Sequence, residues 1–203
     1  MTETNPGSRL EAFCDGVFAI ALTLLIIDIK IPSTQRINNT SDFWLALKHI
    51  APSIFAFVLS FIIILITWVN HHNSLKLGNK ISNRFVYANG FLLLTVVFLP
   101  FPTSLLGEYI LTDHAAPAVI LYNATMALQA LGWIFITHSA LKDRLAKNEK
   151  AFLTIYKNRK YGYFAFALYT LLAIAAIWLP LMIAILTTIT WIFWLIWGTW
   201  QRE

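Results

Sequence analysis

The sequence predicts an all-α integral membrane protein, six transmembrane helices in a single domain spanning 1–203. Three observations carry this. Hydrophobic residues make up 58% of the chain and charged residues only 12%, with a mean hydropathy of +0.66. Soluble domains carry about 25% charged residues, so the polar skin of a water-soluble chain this size is missing and the excess must face lipid. Six stretches approach the roughly 20 apolar residues a helix needs to cross a hydrocarbon core. Lysine and arginine are distributed very unevenly among the segments that connect them.

The first stretch runs from near Ala12 to Ile31 and is ended by Pro32. Glu11, Asp15 and Asp28 interrupt or flank it and no small-x-small cleavage site follows, so it is expected to be a retained helix rather than a signal peptide. The second covers Ile50 to Val69 after an amphipathic lead-in around Phe43 and Trp44. The third runs from about Phe85 to Leu106, with Pro100 and Pro102 near its far end, and the fourth covers Ala115 to Leu141. The last two share Tyr161 to Trp200, which holds no Asp, Glu, Lys or Arg. As one helix those residues would measure about 60 Å, twice the membrane, so the chain must turn back, and Leu179-Pro180 is the expected corner. No tandem repeat is visible.

With the N-terminus inside, twelve of the fifteen Lys and Arg fall on the cytoplasmic side, and only Lys30, Arg36 and Lys48 lie outside. That bias places both termini in the cytoplasm of a multi-pass protein of the cell membrane. It also accounts for the net charge of +5 without a nucleic-acid partner. The basic run from Lys142 to Lys160 reads as a cytoplasmic loop, with contact to anionic lipid as an alternative. The single cysteine, Cys14, rules out an internal disulfide or a cysteine-based metal cluster. Asn38 and Asn39 each begin a formal glycosylation sequon, to which no function is assigned.

The first helix carries the unusual chemistry, because ionisable groups inside a span are costly and face a partner or a water-filled cavity. At about 100° per residue, Ile20, Leu24 and Ile27 form one stripe with Thr23 at its edge, and Asp15 lies about 140° away from Ile20. Gly16, Ala19 and Ala21 form a small-residue patch that lets other helices approach. Trp68, Asn70, His71 and His72 end the second helix and Asn89 begins the third, all at the depth of Asp15. A carboxylate, a histidine and an amide at one depth can satisfy each other. The bland readings are a lipid-facing or packed apolar stripe, an Arg9–Asp15 ion pair near the inner interface, and Asp28 snorkelling beside Lys30. Adjacent His71 and His72 point about 100° apart, unlike the i, i+4 spacing of a metal site.

The run Arg9-x-x-x-Phe13-Cys14-Asp15-Gly16-Val17-Phe18-Ala19-Ile20 resembles the signature that opens the first helix of the transmembrane protein 175 family, the endosomal and lysosomal potassium channels and their prokaryotic relatives. Trp68-x-x-His71 and the stretch from Asn89 to Leu99-Pro100-Phe101 are similar to that family's second and third helices. The last three helices match only in length and hydropathy. One departure is Cys14, where the family usually has Ser; a thiol is the weaker hydrogen-bond donor.

The resemblance implies a modestly potassium-selective cation channel and, for a single six-helix repeat, a homotetramer whose first helices line a central pore. Ile20, Leu24 and Ile27 would form the constriction, with Thr23 adding a hydroxyl ring. Arg9, Phe13, Cys14, Asp15, Trp68, His71 and Asn89 would form the supporting polar network. No cofactor is implied, potassium being the permeant ion. The competing reading is a secondary transporter or proton-coupled permease using Asp15 and His71 as a relay. An enzyme is not expected, since no His-Glu-x-x-His, Gly-x-Ser-x-Gly or paired catalytic aspartate motif occurs.

Overall fold

A computed structural model describes residues 6–27, 29–33 and 37–200. Seven helical segments follow in order: α1 (Pro6–Leu24), α2 (Thr40–Leu75), α3 (Asn83–Phe98), α4 (Pro100–Tyr109), α5 (Ala115–Lys142), α6 (Glu149–Ala175) and α7 (Pro180–Trp200). Segments α3 and α4 are one rod broken at Leu99, so the bundle has six rods. The break has a local cause: Pro100 supplies no N–H to the ladder and stands as the first residue of the new segment. Among the described residues, α2, the α3–α4 rod and α5 are long and apolar enough to cross a membrane, and α7 adds a shorter apolar stretch, Pro180–Ile196.

Helix α5 is the central post, packed on α3, α4, α6 and α7, while α1 lies against α2 and α3. Close approach is built in where side chains vanish. A Cβ on Gly132 would stand 3.1 Å from the Leu92 Cα, and one on Gly107 only 2.6 Å from the Ser53 Cα. Buried hydroxyls cross-link α2, α4 and α5: Ser60 Oγ shares hydrogen bonds with Thr103 Oγ1 at 2.7 Å and Tyr122 OH at 3.1 Å. Deeper in the bundle, Thr187 donates to the Asn123 amide oxygen at 2.9 Å. Large apolar side chains such as Leu94, Leu171, Ile185 and Ile189 are turned outward, as a lipid-facing surface requires.

Three helix boundaries differ from the sequence expectation. The amphipathic lead-in is continuous with the second span, giving a 36-residue helix about 54 Å long. It starts where Asn39 caps it, accepting from the Asp42 N–H at 2.9 Å, so one of the formal sequons serves as a helix cap. The basic run is not all loop: Asn148 accepts from the Ala151 N–H at 2.8 Å and starts α6 at Glu149. Lys150, Lys157, Arg159 and Lys160 therefore ride on a helix. The first helix stops its regular α pattern at Leu24, and i→i+3 bonds from Ile27 to Leu24 and Ile29 to Ile26 carry the chain on. A β-branched run ahead of Pro32 disfavours further α-helix. The expected corner at Leu179-Pro180 stands, with α6 ending at Ala175 and Pro180 opening α7.

The loops after α2 and α5 are joined by backbone. An antiparallel bridge pairs Gly78 with Ala146, the Asn79 N–H donates to Leu145 O at 3.1 Å and the Lys147 N–H to Leu77 O at 2.9 Å. Arg84 adds a 2.6 Å ion pair to Asp143, which also accepts from Ser82. Helix α5 ends with Arg144 in the left-handed region (φ 53°). The Leu145 N–H reaches Ala140 O at 2.9 Å, the closing bond of a Schellman turn, and Leu145 is buried beneath it.

Candidate functional site

Helix α1 has two opposed apolar faces. Leu10, Cys14, Phe18, Ala21 and Leu25, spaced by three and four residues, are buried in the subunit's own core. Ile20, Leu24 and Ile27 point the other way, with 58%, 38% and 70% of their surface exposed. The i→i+3 turn after Leu24 eclipses Leu24 and Ile27, which keeps both on one line. Thr23 belongs to the same open face, and its hydroxyl donates to Ile20 O at 2.8 Å. With its proton used on the backbone, Thr23 Oγ1 turns only lone pairs outward. Of the small residues, Gly16 and Ala19 lie on exposed positions and Ala21 is buried.

The orientation of this helix is fixed by a two-rung polar ladder to α2. The Trp68 indole N–H donates to Asp15 Oδ1 at 2.8 Å, and His72 Nδ1 lies 2.8 Å from Glu11 Oε1. Each helix contributes residues four apart, and the pairs run antiparallel, Glu11 with His72 and Asp15 with Trp68. The Trp68 and His72 rings stack at 6.3 Å. Glu11 was not among the sequence candidates. The available signal was the matching i, i+4 spacing of Glu11/Asp15 and Trp68/His72, which puts each pair on one helix face.

A second, buried pair lies behind the ladder. His71 Nε2 bonds Asn89 Oδ1 at 2.7 Å, and Asn89 Nδ2 donates to Phe85 O at 2.6 Å. Phe18 of α1 rests on the His71 ring with centroids 5.4 Å apart, so α1, α2 and α3 meet there. The expected network thus splits into two hydrogen-bonded pairs, Asp15–Trp68 and His71–Asn89. The expected Asp15–His71 relay is not a direct contact: each group is engaged by a different partner. Arg9 and Phe13 stand outside the network. Both are exposed, Phe13 by 62%, and among the described residues no Arg9–Asp15 ion pair forms. Cys14 belongs to the apolar stripe, fully buried. Asp28 and its expected snorkelling lie outside the described residues. Among the described residues no cluster of His, Cys, Asp or Glu could hold a metal ion.

Among the described residues, six helical rods with an apolar rind, a polar clamp between α1 and α2 and one greasy helix face left bare define a multi-pass membrane protein. A family profile described as the endosomal/lysosomal potassium channel TMEM175 matches residues 9–100. A potassium channel of Chamaesiphon minutus is 42% identical over 144 residues, 70% of each chain. A potassium channel of Streptomyces collinus is 41% identical over 135 residues, 64% of each chain. The crystal structure of a lysosomal potassium-selective channel TMEM175 homolog from Chamaesiphon minutus superposes with a TM-score of 0.80 at 33% identity, covering 94% of this chain and 98% of that one. The chain belongs to the TMEM175 family, a family of ion channels.

Proposed function

We propose that this chain is the subunit of a modestly potassium-selective channel of the cell membrane, a homotetramer with both termini cytoplasmic and α1 of each copy around a central axis. The observation that carries the reading is the bare stripe of Ile20, Leu24 and Ile27, which the subunit's own core does not cover while the opposite stripe is fully buried. Four such stripes facing an axis would make a narrow greasy throat. No Thr-Val-Gly-Tyr-Gly carbonyl filter occurs in the sequence, so the hydration shell is not replaced by backbone oxygens. An ion passes by shedding or deforming its water, and potassium holds water less tightly than sodium. Ile20 sets the barrier in this scheme, and the outward lone pairs of Thr23 Oγ1 partly replace lost water. The channel works without a cofactor and performs no covalent chemistry.

The test is potassium flux into proteoliposomes driven by its gradient alone, with planar-bilayer recordings of Ile20→Asn. The substitution should wet the throat, raise conductance and lower the preference for potassium over sodium. Unchanged selectivity would remove Ile20 from the role. Saturable flux that needs a counter-ion would replace the channel with a carrier.

A further inference from the structure

Lys157, Arg159 and Lys160 stand within one turn of α6, and all the cation–ring contacts among the described residues are theirs. The Arg159 guanidinium carbon and the Lys160 Nζ lie 5.2 Å and 5.1 Å from the centre of one ring, that of Tyr156. The Lys157 Nζ lies 5.7 Å from the centre of the Tyr161 ring. Both lysines are exposed and Arg159 is half-buried. Among the described residues, no carboxylate forms an ion pair with any of the three. The nearest acid on their own helix is Glu149, eight residues before Lys157 and about 12 Å along the axis. Two like charges therefore share one ring with no anion between them.

The depth of these cations follows from the sequence. Lys160 is the last charged residue before the stretch from Tyr161 to Trp200, which holds no Asp, Glu, Lys or Arg. Tyr161 and Tyr163 open that stretch, as aromatic side chains do at a bilayer surface, so the cations lie at headgroup level. Helical side chains lean toward the N-terminus, which carries all three away from the hydrocarbon. Farther into the span, Tyr163 and Phe164 continue the same side of α6 and are 53% and 60% exposed, a surface for acyl chains. The anion found at that depth is a lipid phosphate. A zwitterionic lipid brings its own ammonium and cancels the gain, whereas an anionic lipid does not. Arg159 offers a planar fork that grips a phosphate with two N–H groups. We propose that Arg159 and Lys160, with Lys157 beside them, form a headgroup site for one anionic glycerophospholipid per subunit. Its phosphodiester bridges the two cations held on Tyr156.

Native mass spectrometry of the full chain in non-ionic detergent, titrated with dioleoylphosphatidylglycerol and separately with dioleoylphosphatidylcholine, tests this. The expected result is one site per subunit that prefers the glycerol lipid about tenfold, since each surface cation favours anionic lipid about fivefold and three share one headgroup. The preference should fall as ammonium acetate is raised. Lys157→Gln, Arg159→Gln and Lys160→Gln together should abolish it. Lys142→Gln, Arg144→Gln and Lys147→Gln remove the same charge from the other half of the basic run and should leave it intact. Tyr156→Leu keeps the three cations but frees them, and should weaken binding about threefold. Equal affinity of the wild-type chain for the two lipids overturns the proposal, and that comparison needs no variant to fold. So does a preference that survives the α6 substitutions or falls equally in both triple variants, which would make it a property of net charge. Capture of polyglutamate with no preference between the lipids would give the patch to an acidic protein segment instead. Ion flux is not part of the readout, so this result and the channel reading stand or fall separately.

Discussion

The indole of Trp68 donates to the carboxylate of Asp15 across 2.8 Å, and that bond sets which side of α1 faces the subunit. A hydrogen bond to a charged group is worth about 1.5–3 kcal/mol. Trp68→Phe removes the donor and should lower stability by about that amount. Asp15→Asn retains an acceptor oxygen and should cost less. Thermal unfolding of the detergent-solubilised protein separates the two; equal losses would mean that packing of the indole, and not its N–H, matters.

The His71–Asn89 pair allows a sharper test because it is buried. Asn89→Leu strands His71 Nε2 and should cost about 1–3 kcal/mol. Adding His71→Phe removes the stranded group, and the double variant should be more stable than the sum of the two single losses by about 1 kcal/mol or more. Strict additivity in chemical denaturation would show that the two residues act independently.

Gly107 and Gly90 make a matched comparison. A Cβ at Gly107 meets the Ser53 Cα at 2.6 Å, a backbone atom that cannot step aside, whereas one at Gly90 meets nothing within 4 Å. Gly107→Ala should destabilise by about 1–3 kcal/mol through forced separation of α2 and α4. Gly90→Ala should be neutral or stabilising by up to about 1 kcal/mol through helix propensity. Unfolding midpoints read both.

Thr23→Val keeps the shape of the side chain and removes its oxygen. The hydrogen bond to Ile20 O is local and exposed, so the fold should be unchanged. In single-channel recordings, conductance should fall by about threefold, the effect of one weak ligand lost near the barrier. An unaltered current would leave the throat to the apolar residues alone.

Where the sequence carried a sharp chemical boundary, the element was legible. The expected fourth span, Ala115 to Leu141, matches α5 within one residue, because Asp113 and Lys142 fence a run that holds no Asp, Glu, Lys or Arg. Helix α6 was obscured because its first three turns are polar and basic, and the Asn148 cap that starts them carries no hydrophobic signal. The stripe of Ile20, Leu24 and Ile27 could be drawn from periodicity, but which side of α1 the subunit buries could not. Nor could the pairing inside the polar cluster, since periodicity places residues on a helix without fixing how neighbouring helices rotate against it.

Backbone pairing at Gly78 and Ala146 ties the loop between α2 and α3 to the loop between α5 and α6, joining the ends of those four helices into one plate. By contrast, α1 is tied to that plate through side chains, with Glu11–His72 partly open to solvent. In the channel proposed above, a change of width at Ile20 is then expected to come from swivelling of α1 against that plate.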